Sequence, residues 1–244
     1  MKIVADLHTH TISSGHAYST VMENVRAAAD KGLEMIAITD HGPAMPGAPH
    51  DYHFGNLRVL PSELFGVQIL KGVEANVINR AGGLDLPEDR LAGLDIILAG
   101  AHYICSPQGS LAENTEMMIN TIKNPWVDGI VHPGNPEYLI DAEAVVQAAV
   151  EYDVAIEINN SSLKLSRAGS RPYCEKILCL VKQYGAKIIL GTDSHFALDV
   201  GDFSQAVALL KQYDISSHAV LNTSIIKIKN HLERRSNRRI RKDR

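Results

Sequence analysis

The feature that most limits the folds open to this chain is a series of apolar, strand-like runs, each ending in a histidine or an acid. Five runs end in histidine: Ile3 to His10 (through Asp6-Leu7-His8-Thr9-His10), Met35 to His41, Ile96 to His102, Gly129 to His132, and Ile188 to His195. A sixth, Val67 to Glu74, ends in a carboxylate. Strands are expected at 2–7, 34–40, 68–74, 95–101, 127–132, 153–159 and 186–192, and helices at 20–31, 56–66, 111–123, 141–152 and 172–184. Regular alternation of strand and helix implies parallel strands joined by helical crossovers. The polar residues fall at the C-terminal strand ends, contributed by the first five runs and the seventh. A ring explains that distribution better than the single crevice of an open sheet. The expected fold class is therefore α/β, a closed or nearly closed (β/α) barrel. Residues 1–232 form one domain, and the loop Gly42 to Phe54, with three prolines, forms a rim or lid.

Alternate strand residues face the same way, so His8 and His10 project together with Asp6 below them. Thr39-Asp40-His41 and Thr192-Asp193-Ser194-His195 each set a carboxylate beside an imidazole. Any one of these histidines, including His16 in its glycine-containing loop, reads as a surface or strand-capping residue when taken alone. Their joint occurrence points to metal, for which neutral imidazole is the commonest side-chain ligand. The donors are nitrogen and oxygen only, which favours zinc, manganese or iron over a thiolate-bound structural zinc. Nine candidate ligands, His8, His10, His16, His41, Glu74, His102, His132, Asp193 and His195, are too many for one ion and suit two or three. Closely spaced ions share a hydroxide nucleophile and clamp the oxygens of an in-line displacement, which is phosphoryl-transfer or hydrolytic chemistry. Glu74, Asp193 and His195 are the catalytic candidates, acting through that metal-held hydroxide. Arg167 and Arg171 are candidate phosphate contacts by virtue of bidentate guanidinium geometry. His50, His53 and Tyr103 are further candidate substrate contacts.

Seven of the 24 basic and two of the 28 acidic residues lie in the last 12 positions, leaving 17 against 26 and a net charge of −9 on the body. That asymmetry fits an acidic metal-binding body with a basic tail, 233–244, which is expected to be flexible. Nucleic-acid binding through the tail is a weaker alternative. Cys105, Cys174 and Cys179 form no CxxC pair or even-numbered framework, so a reduced, cytoplasmic setting is expected. Cys174 and Cys179 are expected to pack in the core. The first residues meet charge and histidine too soon for a signal peptide, and no apolar stretch is long enough to span a bilayer.

The ordered motifs Asp6-Leu7-His8-Thr9-His10, Thr39-Asp40-His41, Gly72-Val73-Glu74, His102, His132-Pro133-Gly134 and Thr192-Asp193-Ser194-His195 resemble those of the PHP (polymerase and histidinol phosphatase) family. His16 to Thr20, Asn135-Pro136 and Glu157 to Ser162 bring the likeness closest to its short bacterial probable phosphatases. The resemblance implies a distorted seven-stranded (β/α) barrel holding three zinc ions. His8, His10, Glu74 and Asp193 would hold the first, and His16, His41 and His195 the second. Glu74 would bridge to a third, held with His102 and His132. It also implies a phosphatase acting on a small phosphomonoester, and a homotrimer. The arginine-rich ending departs from the family's pattern. Three alternatives stay open at this point: a phosphodiesterase or nuclease on the same site, a non-catalytic metal-binding module, and an amidohydrolase. The last commonly needs a carbamylated lysine where this chain has Glu74.

Overall fold

The computed structural model describes residues 1–234. Eight strands are β1 (Ala5–Asp6), β2 (Met35–Ile38), β3 (Glu63–Leu64), β4 (Val67–Asn76), β5 (Ile96–Gly100), β6 (Gly129–Ile130), β7 (Ala155–Asn159) and β8 (Ile188–Gly191). The helices are α1 (Val21–Asp30), α2 (Asp51–Asn56), α3 (Glu88–Leu91), α4 (Leu111–Lys123), α5 (Ala142–Tyr152), α6 (Asn160–Lys164), α7 (Arg171–Tyr184), α8 (Ser204–Gln212) and α9 (Ile225–Glu233). Seven strands run parallel in the order β1-β2-β4-β5-β6-β7-β8, as the alternation predicts. Capping boxes start α1 at Thr20 with Glu23 and α4 at Ser110 with Glu113.

The ring is distorted where its first and last strands meet. At the upper end Thr9 bridges Ser194, with His10 N donating to Ser194 O at 2.9 Å and Asp193 N to His8 O at 2.9 Å. Lower down the two strands splay, and the buried Asn222 fills the gap. Its Oδ1 accepts from Leu190 N at 2.7 Å, while Nδ2 donates to Ala5 O and Leu190 O at 2.9 and 2.8 Å. Its backbone carbonyl accepts from Val4 N at 2.8 Å. One side chain thus replaces a stretch of ladder.

Strand alternation places Leu70, Gly72 and Glu74 on one face, and likewise Ile96, Leu98 and Gly100, then Ala155, Glu157 and Asn159. The lower members of these series form one buried cluster with Ala5, Leu7, Met35, Ala37, Leu221 and Ile228. Ile225 and Leu232 pack against it, so α9 closes the base of the barrel. The upper members are polar or glycine. A Cβ at Gly191 would stand 2.2 Å from Glu157 Oε1 and 2.4 Å from His8 Cβ, and one at Gly100 2.9 Å from His132 Cε1. These glycines make room for the imidazoles.

Several expectations need correction. No helix spans 56–66: a short 3-10 turn, Leu57–Val59, is followed by β3, which pairs antiparallel with β4. Phe65 and Gly66 turn this hairpin with φ of 54° and 78°, the left-handed pair of a type I′ turn. Cys174 is buried as expected, but Cys179 lies on the outer face of α7 and is exposed. The basic tail falls outside the described residues from 235 onward; Arg234, before it, pairs with Asp153 at 3.3 Å. Among the described residues no helix is long and apolar enough to cross a membrane.

Candidate metal centre

The nine sequence-derived ligand candidates meet at the upper rim. Glu74 lies at their centre, fully buried. Its Oε2 is 2.7 Å from His41 Nδ1 and 3.4 Å from both His8 Nε2 and His10 Nε2. Its Oε1 is 2.8 Å from His132 Nε2 and 3.2 Å from His102 Nε2. Asp193 Oδ1 lies 3.2 Å from His10 Nε2 and 3.7 Å from both His8 Nε2 and His195 Nδ1. His16 stacks between His41 and His195, with ring centroids 5.0 and 4.8 Å away. His132 and Asp193 reach the rim with φ of 38° and 53°, a left-handed conformation that non-glycine residues hold only under firm constraint.

Only part of the crowding is hydrogen bonding, namely His132 Nε2 to Glu74 Oε1 and His8 Nε2 to His10 Nε2. His41 Nδ1, Glu74 Oε2, His102 Nε2 and Asp193 Oδ1 are buried without a hydrogen-bond partner, despite lying so near one another. Such atoms aim at shared points rather than at each other, and each would cost about 1–3 kcal/mol if left unsatisfied. Three triads have all their donor atoms within 4.8 Å: His8, His10 and Asp193; His10, His41 and His195; and His41, Glu74 and His102. His8 Nε2 and His10 Nε2 are 3.1 Å apart, a spacing two lone pairs tolerate only with a proton or cation between them. The donor set therefore fits divalent cations. Cys105, in the loop after β5, is in none of these triads; burial, then Asp85 and Glu74, push its thiol up to about 11.

A second layer fixes which ring nitrogen faces inward. His8 Nδ1 donates to Glu157 Oε1 at 2.7 Å and His10 Nδ1 to Ser14 Oγ at 3.0 Å. His102 Nδ1 donates to Asn76 Oδ1 at 2.8 Å, an orientation forced because Asn76 Nδ2 faces Asp85 Oδ2 and Gly42 O. Ser14 Oγ in turn donates to Asp40 Oδ1 at 2.7 Å. In each case the outer nitrogen carries hydrogen and Nε2 is left as the inward donor, as metal-bound histidines are usually held. Sequence reasoning gave no ligating or supporting role to Glu157, Asn159, Asn76 or Ser14, although Glu157 and Asn159 belong to the motif that carries the family likeness. The available signal was a carboxylate and an amide on the inward positions of an otherwise apolar run. Glu157 Oε2 also accepts from His132 N at 2.8 Å and from Asn159 Nδ2 at 3.1 Å. In Glu157→Gln an amide N–H must face one of these donors. Metal affinity is expected to fall about 10–100-fold, read by competition with a chromogenic chelator; unchanged affinity would contradict this account.

Burial, then repulsion from His41, lowers His10 to about 3. Burial, then Arg167, brings His132 to about 3. Burial also opposes charge on His8, but Glu157, Glu74 and Asp193 outweigh it and raise His8 well above its ordinary value. Against the cost of burial, His41 and His8 hold Glu74 well below the carboxylate range, and His8 and Arg167 do the same for Asp193. The pH dependence follows for protein stripped of metal. His10 and His132 take up protons near 6.5 when unfolded but only near 3 when folded. Their stabilisation is complete above pH 6.5 and is lost as pH falls toward 3, at up to about 1.4 kcal/mol per pH unit each. His8 has the opposite sign, its contribution being full below 6.5 and lost only as pH rises through its raised value. The lowered Glu74 and Asp193 add losses only below about pH 4. The melting temperature of chelator-treated protein should therefore decline from pH 6.5 to 5, and less steeply in His10→Gln. Equal slopes would contradict the assignment.

A cleft of about 740 Å³ opens onto this cluster, lined by His16, His41, His102, Asp193 and His195 on one side and by Tyr103 and Arg167 among others on the rest. Arg167 Nη1 donates to Asp193 Oδ2 at 2.9 Å. Arg171, expected beside it, begins α7 and pairs instead with Glu175 and Gln212 at 3.1 and 3.2 Å, because the helix turns it outward. His50 is exposed and caps α2, and His53 lies 3.6 Å from Asp40; neither lines the cleft.

The PHP domain model matches residues 6–213. A probable phosphatase of Acetivibrio thermocellus is 51% identical over 238 residues, covering 98% of each chain. One of Thermoanaerobacter pseudethanolicus is 53% identical over 234 residues, covering 96% of each. Among solved structures, histidinol phosphate phosphatase of Lactococcus lactis, complexed with zinc, L-histidinol and phosphate, superposes with a TM-score of 0.62. It is 17% identical, covers 87% of this chain and 94% of its own, and at that identity speaks for the fold alone.

Proposed function

Because the chain belongs to the PHP domain family, we propose that it is a metal-dependent phosphatase hydrolysing phosphomonoesters at a trinuclear, zinc-type centre. The observation that carries this reading is the crowding of buried donor atoms around Glu74, of which His41 Nδ1, Glu74 Oε2, His102 Nε2 and Asp193 Oδ1 have no hydrogen-bond partner. His8, His10, Glu74 and Asp193 would hold one ion, His16, His41 and His195 a second, and His102 and His132 a third with Glu74. Three overlapping triads of donor atoms lie within this set, sharing His10 and His41 and including neither His16 nor His132. Divalent ions bound there supply positive charge for the phosphate oxygens and lower the pKa of water to about 7. The chain's own residues do the rest. Glu157, Ser14 and Asn76 present the imidazoles in the ligating tautomer. Arg167, the one guanidinium lining the cleft among the described residues, stands beside Asp193 to orient an arriving phosphate.

Elemental analysis of the purified protein, followed by a phosphomonoester panel with zinc, manganese or iron restored, tests the proposal. Two to three equivalents of metal and hydrolysis of a monoester are expected. Bound metal with no hydrolysis under any divalent ion would replace it with the non-catalytic module. Faster cleavage of a diester than a monoester would replace it with the phosphodiesterase. We also propose a homotrimer, which sedimentation would report as three chains of 26.6 kDa.

A further inference from the structure

Apart from its imidazole side, the cleft has an apolar wall of Met45, Pro46, Tyr103, Ile104, Pro136 and Ala168, with the uncharged polar residues Asn135, Ser161 and Ser166 beside it. Tyr103 and Ile104, from the loop after β5, are 68% and 50% exposed, a large apolar surface at the mouth of a polar site. Charge on the walls is sparse. Among the described residues Arg167 is the only lysine or arginine lining the cleft, and Asp193 already engages it. Among the same residues the only carboxylate beyond the imidazole cluster is Glu137. A smaller adjoining cleft of about 350 Å³ shares Ser161, Ser166, Asp193 and His195 and holds one further cation, Lys164. That ammonium is held by Asp202 and Asp199 at 3.1 and 3.4 Å, so the second cleft presents net negative charge.

Resting on the phosphatase reading above, we propose that the preferred substrate is a monophosphate whose organic group is apolar and otherwise uncharged. Its phosphate takes the imidazole side of the cleft, and its organic part lies against Tyr103, Ile104 and Met45. A second phosphate on the same molecule finds no free lysine or arginine among the described residues lining either cleft. It meets Glu137 or the Asp199–Asp202 pair instead, and like charges brought together this way act as a rejection device. A polynucleotide would likewise find no cationic track among the described residues lining either cleft, and a polyanion needs one along its backbone. Tyr103 and Ile104 are specificity residues, touching the leaving group and not the reacting phosphorus.

The full, metal-loaded chain is assayed with 1-naphthyl phosphate, glycerol phosphate and fructose bisphosphate. Inhibition by 1-naphthyl phosphonate and by inorganic phosphate is measured alongside, as a readout of binding. Wild type is expected to favour the naphthyl ester over glycerol phosphate by about tenfold or more in kcat/KM. The bisphosphate should be the poorest of the three. In Y103A/I104S the naphthyl preference and the tight binding of the phosphonate should fall together by about tenfold. Turnover of glycerol phosphate and inhibition by inorganic phosphate should fall by clearly less than that. Equal or better turnover of the bisphosphate, or equal losses on all three esters in the double variant, would overturn the proposal and leave the phosphatase reading intact. Hydrolysis of none of them would overturn both.

Discussion

Replacing Glu74 by glutamine is expected to lower kcat/KM for a phosphomonoester by at least about a thousandfold, or about 4 kcal/mol of transition-state stabilisation. The change is isosteric, so the circular dichroism spectrum should be unaltered. The size of the effect follows from how many groups the carboxylate serves. One oxygen faces His41, His8 and His10, and the other faces His132 and His102. An amide must turn its N–H₂ toward one of those two groups, where a cation would stand, and it brings no negative charge. Metal content should fall with activity, by at least one equivalent. Asp193→Asn makes a useful contrast. Only Oδ1 of Asp193 faces the imidazoles, while Oδ2 takes Arg167 and Asn159. Its loss in metal content should be smaller than that of Glu74→Gln. Activity of Glu74→Gln within tenfold of wild type would remove Glu74 from the centre of the site.

The largest expected effect on stability comes from a residue far from the chemistry. Asn222→Ala leaves Leu190 N, Leu190 O and Ala5 O without their partner in a region closed to water. At about 1 kcal/mol or more for each stranded group, the loss is about 3–4 kcal/mol. In a domain of this size that lowers the melting temperature by about 10 °C. Asn222→Asp keeps the acceptor for Leu190 N but sets a carboxylate against two carbonyls, and should be at least as destabilising. A drop of less than 3 °C in both variants would mean that the seam closes without this side chain.

Much of the architecture could be read from local pattern, because parallel strands buried on both faces must be apolar and a barrel puts its chemistry at their C-terminal ends. All nine ligand candidates meet on that rim for the same reason. What escaped was set by geometry that no local pattern carries. Leu57 to Leu64 looked helical by composition, yet the Phe65-Gly66 turn, with both residues left-handed, folds Glu63 and Leu64 back onto β4. Glu157 was hidden because it touches no external group and acts only by holding His8 and His132. Arg167 and Arg171, equivalent on paper, part company where α7 begins. Asn222 works across a sequence separation that motif reading does not reach.

The seam also sets a timetable for biosynthesis. His8 and His10 leave the ribosome before Asp193, His195 and finally Asn222, which follow on the order of 10 s or more later at ordinary elongation rates. Until then β1 has no neighbour on one side, and the base of the barrel lacks α9. A nascent chain therefore carries its early imidazoles without the carboxylate and the last strand that would complete their site.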